Sequence, residues 1–340
     1  MKEYPKPYLD VEQQVALLKS RGMIIPDEPK AKRYLRHIGY YRLSAYWYVT
    51  RAIKADGKKL DNFVAGTTFD ECLRLYIFDR KLRILCMDAL GRIENTLKTS
   101  IALRLGKRDK YAHLKPEFFA SNFTNPKPNY KFLRGKTIEP LVPAFLRGEA
   151  NYDRWVRNHK KSLKRAQAEV FVKHVRNQYD DCELPIWMVA NLWDMDAART
   201  LMSGMQTADK LYVAQSFGLH NNNGDIVVSW FKTLCLVRNI CAHHGRLWNR
   251  GLSKSPSLGK VGVYPAIDLV RNTNGSREKI FSALTLIQIL LNHISPNSNW
   301  KNRMDDLLKV DTPNLAHGLN IETEMGFPTN WRQHQFWNLS

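Results

Sequence analysis

Arg238, Asn239, His243 and His244 fall within the short run Arg-Asn-Ile-Cys-Ala-His-His-Gly-Arg over residues 238 to 246, and their types suit phosphodiester chemistry without a metal. A neutral imidazole takes the proton from a ribose 2′-hydroxyl, and a protonated one gives a proton to the leaving 5′-oxygen. A guanidinium holds the phosphate through parallel hydrogen bonds and offsets charge developing at phosphorus. Attack by the neighbouring 2′-hydroxyl leaves a 2′,3′-cyclic phosphate and a 5′-hydroxyl. DNA lacks that hydroxyl, so this chemistry selects RNA.

The element that must position these groups is a helix. Upstream, Trp230, Leu234, Val237 and Cys241 recur at i, i+4, i+7 and i+11, with Asp225 as the expected N-cap and Gly245 as the expected stop. At about 100° per residue, Asn239 and His243 lie over each other, while Arg238 sits roughly 140° from His243 and reaches the same space through its long side chain. The last helical turn also favours a cation, which helps a histidine there hold a proton. Spacing alone leaves a plainer reading open, in which Arg238 pairs with a carboxylate, both histidines end a helix, and nothing reacts.

The charge balance points to a polyanionic partner. The chain carries 52 Lys and Arg against 32 Asp and Glu, a formal net charge of +20, which attracts RNA, DNA and anionic membranes alike. Between Arg147 and Arg176 nine basic residues face three acids. Lys160, Lys161, Lys164 and Arg165 recur at i, i+1, i+4 and i+5 and form one basic stripe if the segment is helical, with Trp155, Leu163 and Phe171 on its apolar side. Such a stripe either holds phosphates, without reading sequence, or is a solvated helix face. Arg246 and Arg250 are candidates for the phosphates flanking the scissile bond, or for pinning the loop after the helix.

The 340 residues, 44% of them hydrophobic, suffice for one large domain or two. Cysteines 72, 86, 182, 235 and 241 form no Cys-x-x-Cys pair, so neither a zinc site nor a disulfide framework is expected. Met1 to Asp10 does not read as a signal peptide, and the apolar run Ile280 to Ile294 is too short to span a bilayer, so a cytoplasmic location is expected.

The chain reads as helical. Helices are expected over 10–21 and 28–36, and Thr68-x-x-Glu71 should open a long helix with Leu82, Leu85, Ala89, Ile93, Leu97, Ile101 and Leu105 on one stripe until Gly106. Residues 40–47 are strand, helix or packed loop, with aromatics that either fill core or stack on bases. Five prolines over 115–143 mark a long connection. Pro185 should start a helix, and a loop from Gly251 to about Pro265 should precede a helix over 280–294. No Walker loop or Gly-x-Gly-x-x-Gly turn occurs, so no nucleotide cofactor is expected.

The segment Leu236-Val-Arg-Asn-Ile-Cys-Ala-His-His-Gly-Arg-Leu-Trp-Asn-Arg250 resembles the signature of the Abi abortive-infection family, the AbiD/AbiF-like proteins of bacterial phage defence. Other landmarks follow in the family's order: Ile38-Gly-Tyr-Tyr-Arg-Leu-Ser-Ala-Tyr-Trp47, Phe78-Asp-Arg-Lys-Leu-Arg83, Asp88-Ala-Leu-Gly-Arg-Ile-Glu94, Leu184-Pro-Ile-Trp-Met-Val189, and Met325-Gly-Phe-Pro328 with Trp331. Gly91 departs from the larger polar residue of the pattern. That family is placed within the HEPN superfamily, whose ribonucleases share an Arg followed by four to six residues and a His.

The resemblance implies an all-α, HEPN-like helical bundle with Arg238 and His243 as the catalytic pair, Asn239 as the polar residue following the arginine, and His244 as an assistant or substitute. It also implies a toxin-like endoribonuclease whose site forms between two copies, because Arg-Asn-x-x-x-His occurs once in this chain. The expected organisation is an N-terminal helical extension over 1–66, a bundle over 67–250 with a basic insertion around 107–180, and a C-terminal extension over 251–340. Two other readings stay open: an RNA-binding protein that holds a structured non-coding RNA, and an interaction module paired with a nucleotidyltransferase.

Overall fold

A computed structural model describes residues 7–126, 149–179, 183–220, 224–316 and 318–339. Helices dominate. Helix α1 (Val11–Ser20) opens under a capping box, Asp10 accepting from the Gln13 N–H and the Gln13 side chain accepting from the Asp10 N–H. Helices α2 (Glu28–Ile38) and α3 (Tyr40–Trp47) meet at Gly39, whose φ of 90° lies where residues with a Cβ are strained. The aromatic segment 40–47 is thus a helix.

A short antiparallel hairpin follows, β1 (Arg51–Ile53) with β2 (Lys59–Phe63). The hairpin corrects the expectation of a helical extension over 1–66. Its strands are too short to show a period of two, and its side chains are mostly exposed.

Helix α4 (Phe69–Gly106) is the spine. At 1.5 Å per residue its 38 residues run about 57 Å. Thr68 accepts from the Glu71 N–H at 3.1 Å, as the sequence predicted, and the expected stripe from Leu82 to Leu105 is buried throughout. After α5 (Ser121–Thr124), α6 (Asn151–Arg165) and α7 (Val170–Gln178) come α8 (Ile186–Val189), with Pro185 at its N-cap, α9 (Met195–Gly204), α10 (Thr207–Gln215) and α11 (Gly224–Ala242). The C-terminal part adds α12 (Pro265–Asn272), α13 (Ile280–Ile294), α14 (Trp300–Val310) and α15 (Ile321–Met325).

Helices α3, α8, α9, α10, α11, α13 and α14 all pack on α4. Residues Ile280 through Leu291 of α13 are buried without exception, so this helix lies in the middle of the molecule. Two of its polar members bond inside, Thr285 donating to the Phe281 carbonyl and Gln288 Nε2 to Asn292, while Gln288 Oε1 accepts no hydrogen bond among the described residues. No helix of the described residues is long and apolar enough to cross a membrane.

Phe281, Phe327, Trp331 and Trp337 close one end of α13 as a cluster of rings. Gly326 permits the approach, since its φ is 87° and a Cβ there would stand 2.7 Å from Lys279 Cβ. The Met-Gly-Phe-Pro ending is therefore a piece of core.

Of the connection over 115–143, residues through 126 are described. They form a single 3-10 turn at Pro116–Phe118 and the one-turn α5, while Pro128, Pro140 and Pro143 lie outside the described residues, as do Arg147 and Cys182.

Candidate functional site

Helix α11 carries the motif. Val227, Trp230, Leu234, Val237 and Cys241 are buried against α4, α9, α10 and α13, which turns the remaining face outward. Asp225 is in the first turn and accepts from Lys210 Nζ at 2.9 Å; it is the second residue of the helix and not its N-cap, which corrects the expectation. Residues 221–223 lie outside the described residues.

The C-terminus also differs from the sequence reading. His244, not Gly245, takes the left-handed conformation, with φ 55°. The His244 N–H donates to the Cys241 carbonyl at 3.1 Å and the Gly245 N–H to the Ile240 carbonyl at 2.8 Å, the two bonds of a Schellman ending. The carbonyls of Ile240 and Cys241 are thereby satisfied, and the left-handed turn sends the His244 side chain off the line of Asn239 and His243.

Arg238 is half-buried beside α4, with Nε 3.6 Å from Oε2 of Glu94. That is an ion pair without a hydrogen bond, and Arg238 Nε has no hydrogen-bond partner. Glu94 also holds Lys98 at 2.7 Å. The terminal nitrogens of Arg238 have no partner among the described residues. Asn239 and His243 are exposed, one turn apart, and the His243 N–H donates to the Asn239 carbonyl at 3.0 Å. Among the described residues no hydrogen bond links the side chains of Arg238, Asn239, His243 and His244, which form an open surface array and not a closed triad. Arg92 plays no part in it, being bound to Asp88 and Ser298 on the C-terminal side of α4. At Gly91 a Cβ would meet nothing within 4 Å.

Beneath the motif lies a buried node that the sequence did not single out. Asp79 accepts from the Tyr46 hydroxyl at 2.7 Å, from the Leu247 N–H at 3.1 Å, from the Trp248 N–H at 2.8 Å and from the Arg83 guanidinium. Arg83 Nη1 in turn donates to the Gly245 carbonyl at 3.2 Å and to Tyr46 Oη at 3.3 Å. Burial pushes the Asp79 carboxyl above its usual range, against the pull of the Arg83 charge and of the Tyr46, Trp248 and Leu247 donors. Three separate sequence landmarks therefore meet at one carboxylate. The signal was present: Asp79 falls on the apolar stripe between Leu75, Leu82 and Cys86, where a charge is expensive unless partnered.

Arg246 Nη1 donates to the Ala45 carbonyl at 2.8 Å, and Arg42 Nη1 reaches the His244 carbonyl at 3.4 Å, so α3 is tied to the end of α11. Arg246 thus pins the loop through Nη1. Arg250 is exposed and, among the described residues, in no ion pair.

A match to the model of the Abi-like protein family covers residues 33–249. The chain belongs to the Abi-like family. The matched span takes in α3, the Asp79 node, Glu94 and the whole of the Arg238 to His244 array. Membership implies a part in abortive-infection defence. No curated protein and no solved structure matches the chain.

Lys160, Lys161, Lys164 and Arg165 are exposed on α6, which is helical as the stripe required, with Trp155 buried and Leu163 and Phe171 packed against the core. None of the four is in an ion pair among the described residues. The stripe is remote from the motif, because α6 packs on α5 and α9, and α9 stands between it and α11. A cavity of about 560 Å³ beside α6 and α9, lined by Trp155, His159, Trp193, Arg165 and Arg199, receives no group from α11.

Proposed function

We propose that the protein is a metal-independent endoribonuclease of HEPN type that acts in abortive infection as a toxin-like enzyme in the cytoplasm. The observation that carries this reading is Arg238: its guanidinium is ion-paired with Glu94 without a hydrogen bond, its terminal nitrogens have no protein partner among the described residues, and His243 stands exposed at the end of the same helix.

In this mechanism the His243 imidazole takes the proton from a 2′-hydroxyl. The freed oxygen attacks phosphorus, the bond to the 5′-oxygen breaks, and a protonated imidazole returns a proton to that oxygen. Arg238 holds the non-bridging oxygens through charge-assisted bonds. Asn239 orients the phosphate or His243, and His244 supplies or replaces one proton transfer. One chain offers one such array, and a homodimer that brings two His243 rings to one strand gives the acid and the base at once. No cofactor enters the scheme.

A second reading, a non-catalytic protein that holds a regulatory non-coding RNA, draws on the basic stripe of α6, whose charge has no partner among the described residues. Expression in a bacterial host separates the two. The enzyme arrests growth and fragments RNA, and Arg238→Ala or His243→Ala abolishes both effects. A passive binder leaves growth unchanged for all three proteins while RNA co-purifies with each. A requirement for an adjacent nucleotidyltransferase would point instead to the paired interaction module.

A further inference from the structure

Helix α3 presents two opposite characters. Leu43, Tyr46 and Trp47 are buried, whereas Tyr41 is 91% exposed and Tyr48, at its C-cap, 48% exposed. Tyr41 and Tyr48 are seven residues apart, so they lie on one face and about 10 Å apart along the axis. Small side chains, Ser44 and Ala45, separate them. This face forms one wall of a groove of about 410 Å³, whose other wall is Arg246 and Arg250 from the loop after the motif. Among the described residues no acidic side chain lines it.

The groove adjoins the motif. Arg246 bonds the Ala45 carbonyl, Arg42 bonds the His244 carbonyl, and a Cβ at Gly245 would stand 3.5 Å from Arg250 Nη1. Tyr48 is held from its own side, with Lys59 Nζ 5.0 Å and Arg51 Cζ 5.5 Å from its ring centre. Among the described residues Tyr41 has no ring or cation contact, and its ring is open to solvent.

We propose that this groove is a subsite for single-stranded RNA, in which an unpaired nucleobase stacks on Tyr41 and the adjoining phosphates lie against Arg246 and Arg250. An exposed ring beside guanidinium groups is the arrangement by which proteins grip unpaired strands, because every base has a π-face and every nucleotide a phosphate. At about 3.4 Å per nucleotide the groove takes roughly three stacked nucleotides. A duplex offers it none, since its bases are already stacked. The inference rests on the RNA reading above and adds that the strand runs along α3 to reach His243, unpaired.

The test is binding of a fluorescently labelled, 2′-O-methyl ten-nucleotide RNA, which has no free 2′-hydroxyl and is not cut. Tyr41→Ala should weaken binding of the single strand about tenfold, within the range that stacking one base on an aromatic ring supplies. Tyr41→Phe should bind as the parent does, and the duplex of the same sequence should bind both variants equally. Equal binding of single strand by Tyr41→Ala and parent overturns the subsite, as does loss in Tyr41→Phe as large as in Tyr41→Ala. A change in sedimentation mass on Tyr41→Ala also overturns it, by making the ring a contact between copies. Because the probe cannot be cleaved, failure of the nuclease reading shows up separately, as intact unmodified RNA.

Discussion

Glu94 of α4 reaches Arg238 of α11 across the main helix interface, with 3.6 Å between Oε2 and Nε. Both groups are mostly withdrawn from solvent, 13% and 29% exposed, so the arginine is aimed and not merely present. Glu94→Gln removes the charge that fixes Nε while keeping the shape. Cleavage should fall by about ten- to a hundredfold, the scale on which small misplacements of a positioned group act, while stability drops by only about 1 kcal/mol, because the pair is long and makes no hydrogen bond. Parallel kinetics and denaturation curves measure both; unchanged kinetics would detach Glu94 from the site.

Asp79 ties α3, α4 and the loop after the motif together. Asp79→Asn leaves Arg83 buried without its counter-charge, and breaking such a pair costs about 3–5 kcal/mol. Chemical denaturation should show that loss, and limited proteolysis should open the chain near Gly245 to Trp248. A loss below about 1 kcal/mol, the worth of an exposed pair, would mean that the node does not hold the loop.

His244 keeps a left-handed backbone that glycine would adopt at less cost. His244→Gly should therefore raise stability by about 0.5–1 kcal/mol. If strain is retained there for the sake of the imidazole, the same variant should cleave more slowly. Thermal melts and single-turnover rates decide it; a variant both less stable and equally active would reverse the argument.

The interior sets a pH limit. Burial lowers the His113 imidazole to about 3, with the neighbouring His159 adding to the effect, and lowers His159 to about 4. Among the described residues His113 has no hydrogen-bond partner on either ring nitrogen, while His159 stacks on Trp155 and accepts from Trp193 Nε1 at 3.2 Å. Both are neutral in the fold, and the unfolded chain binds their protons below about pH 6.5. Stability should thus be full above that pH and fall as pH drops toward 4, each histidine contributing about 1.4 kcal/mol per pH unit. His113→Leu should lessen the slope by about that amount in denaturation experiments between pH 6 and pH 4.5. An unaltered slope would mean that His113 already carries a proton in the fold.

The long elements were legible because many residues repeat one instruction. Thr68 and Gly106 bracket α4, its apolar stripe runs unbroken from Leu82 to Leu105, and the apolar run from Ile280 to Ile294 is helix α13 end to end. The three- and five-residue strands carry too few residues to speak. The hairpin at 51–63 and the bounds of the helix at Trp300–Val310 are not among the elements the sequence predicts. At the site the residue types on α11 were readable, but their partners were not. Asp79 meets Leu247 across 168 residues, and Glu94 meets Arg238 from another helix; local spacing holds no record of such pairs. The choice of His244 over Gly245 for the left-handed turn was hidden for the opposite reason, since glycine is what local rules prefer.

Incubation of the purified protein with end-labelled RNA in EDTA, followed by chemical identification of the new 3′ ends, tests the central claim most directly. The account predicts 2′,3′-cyclic phosphate ends from the parent protein and none from Arg238→Ala or His243→Ala. Intact RNA from all three, or 3′-hydroxyl ends from any, would contradict it.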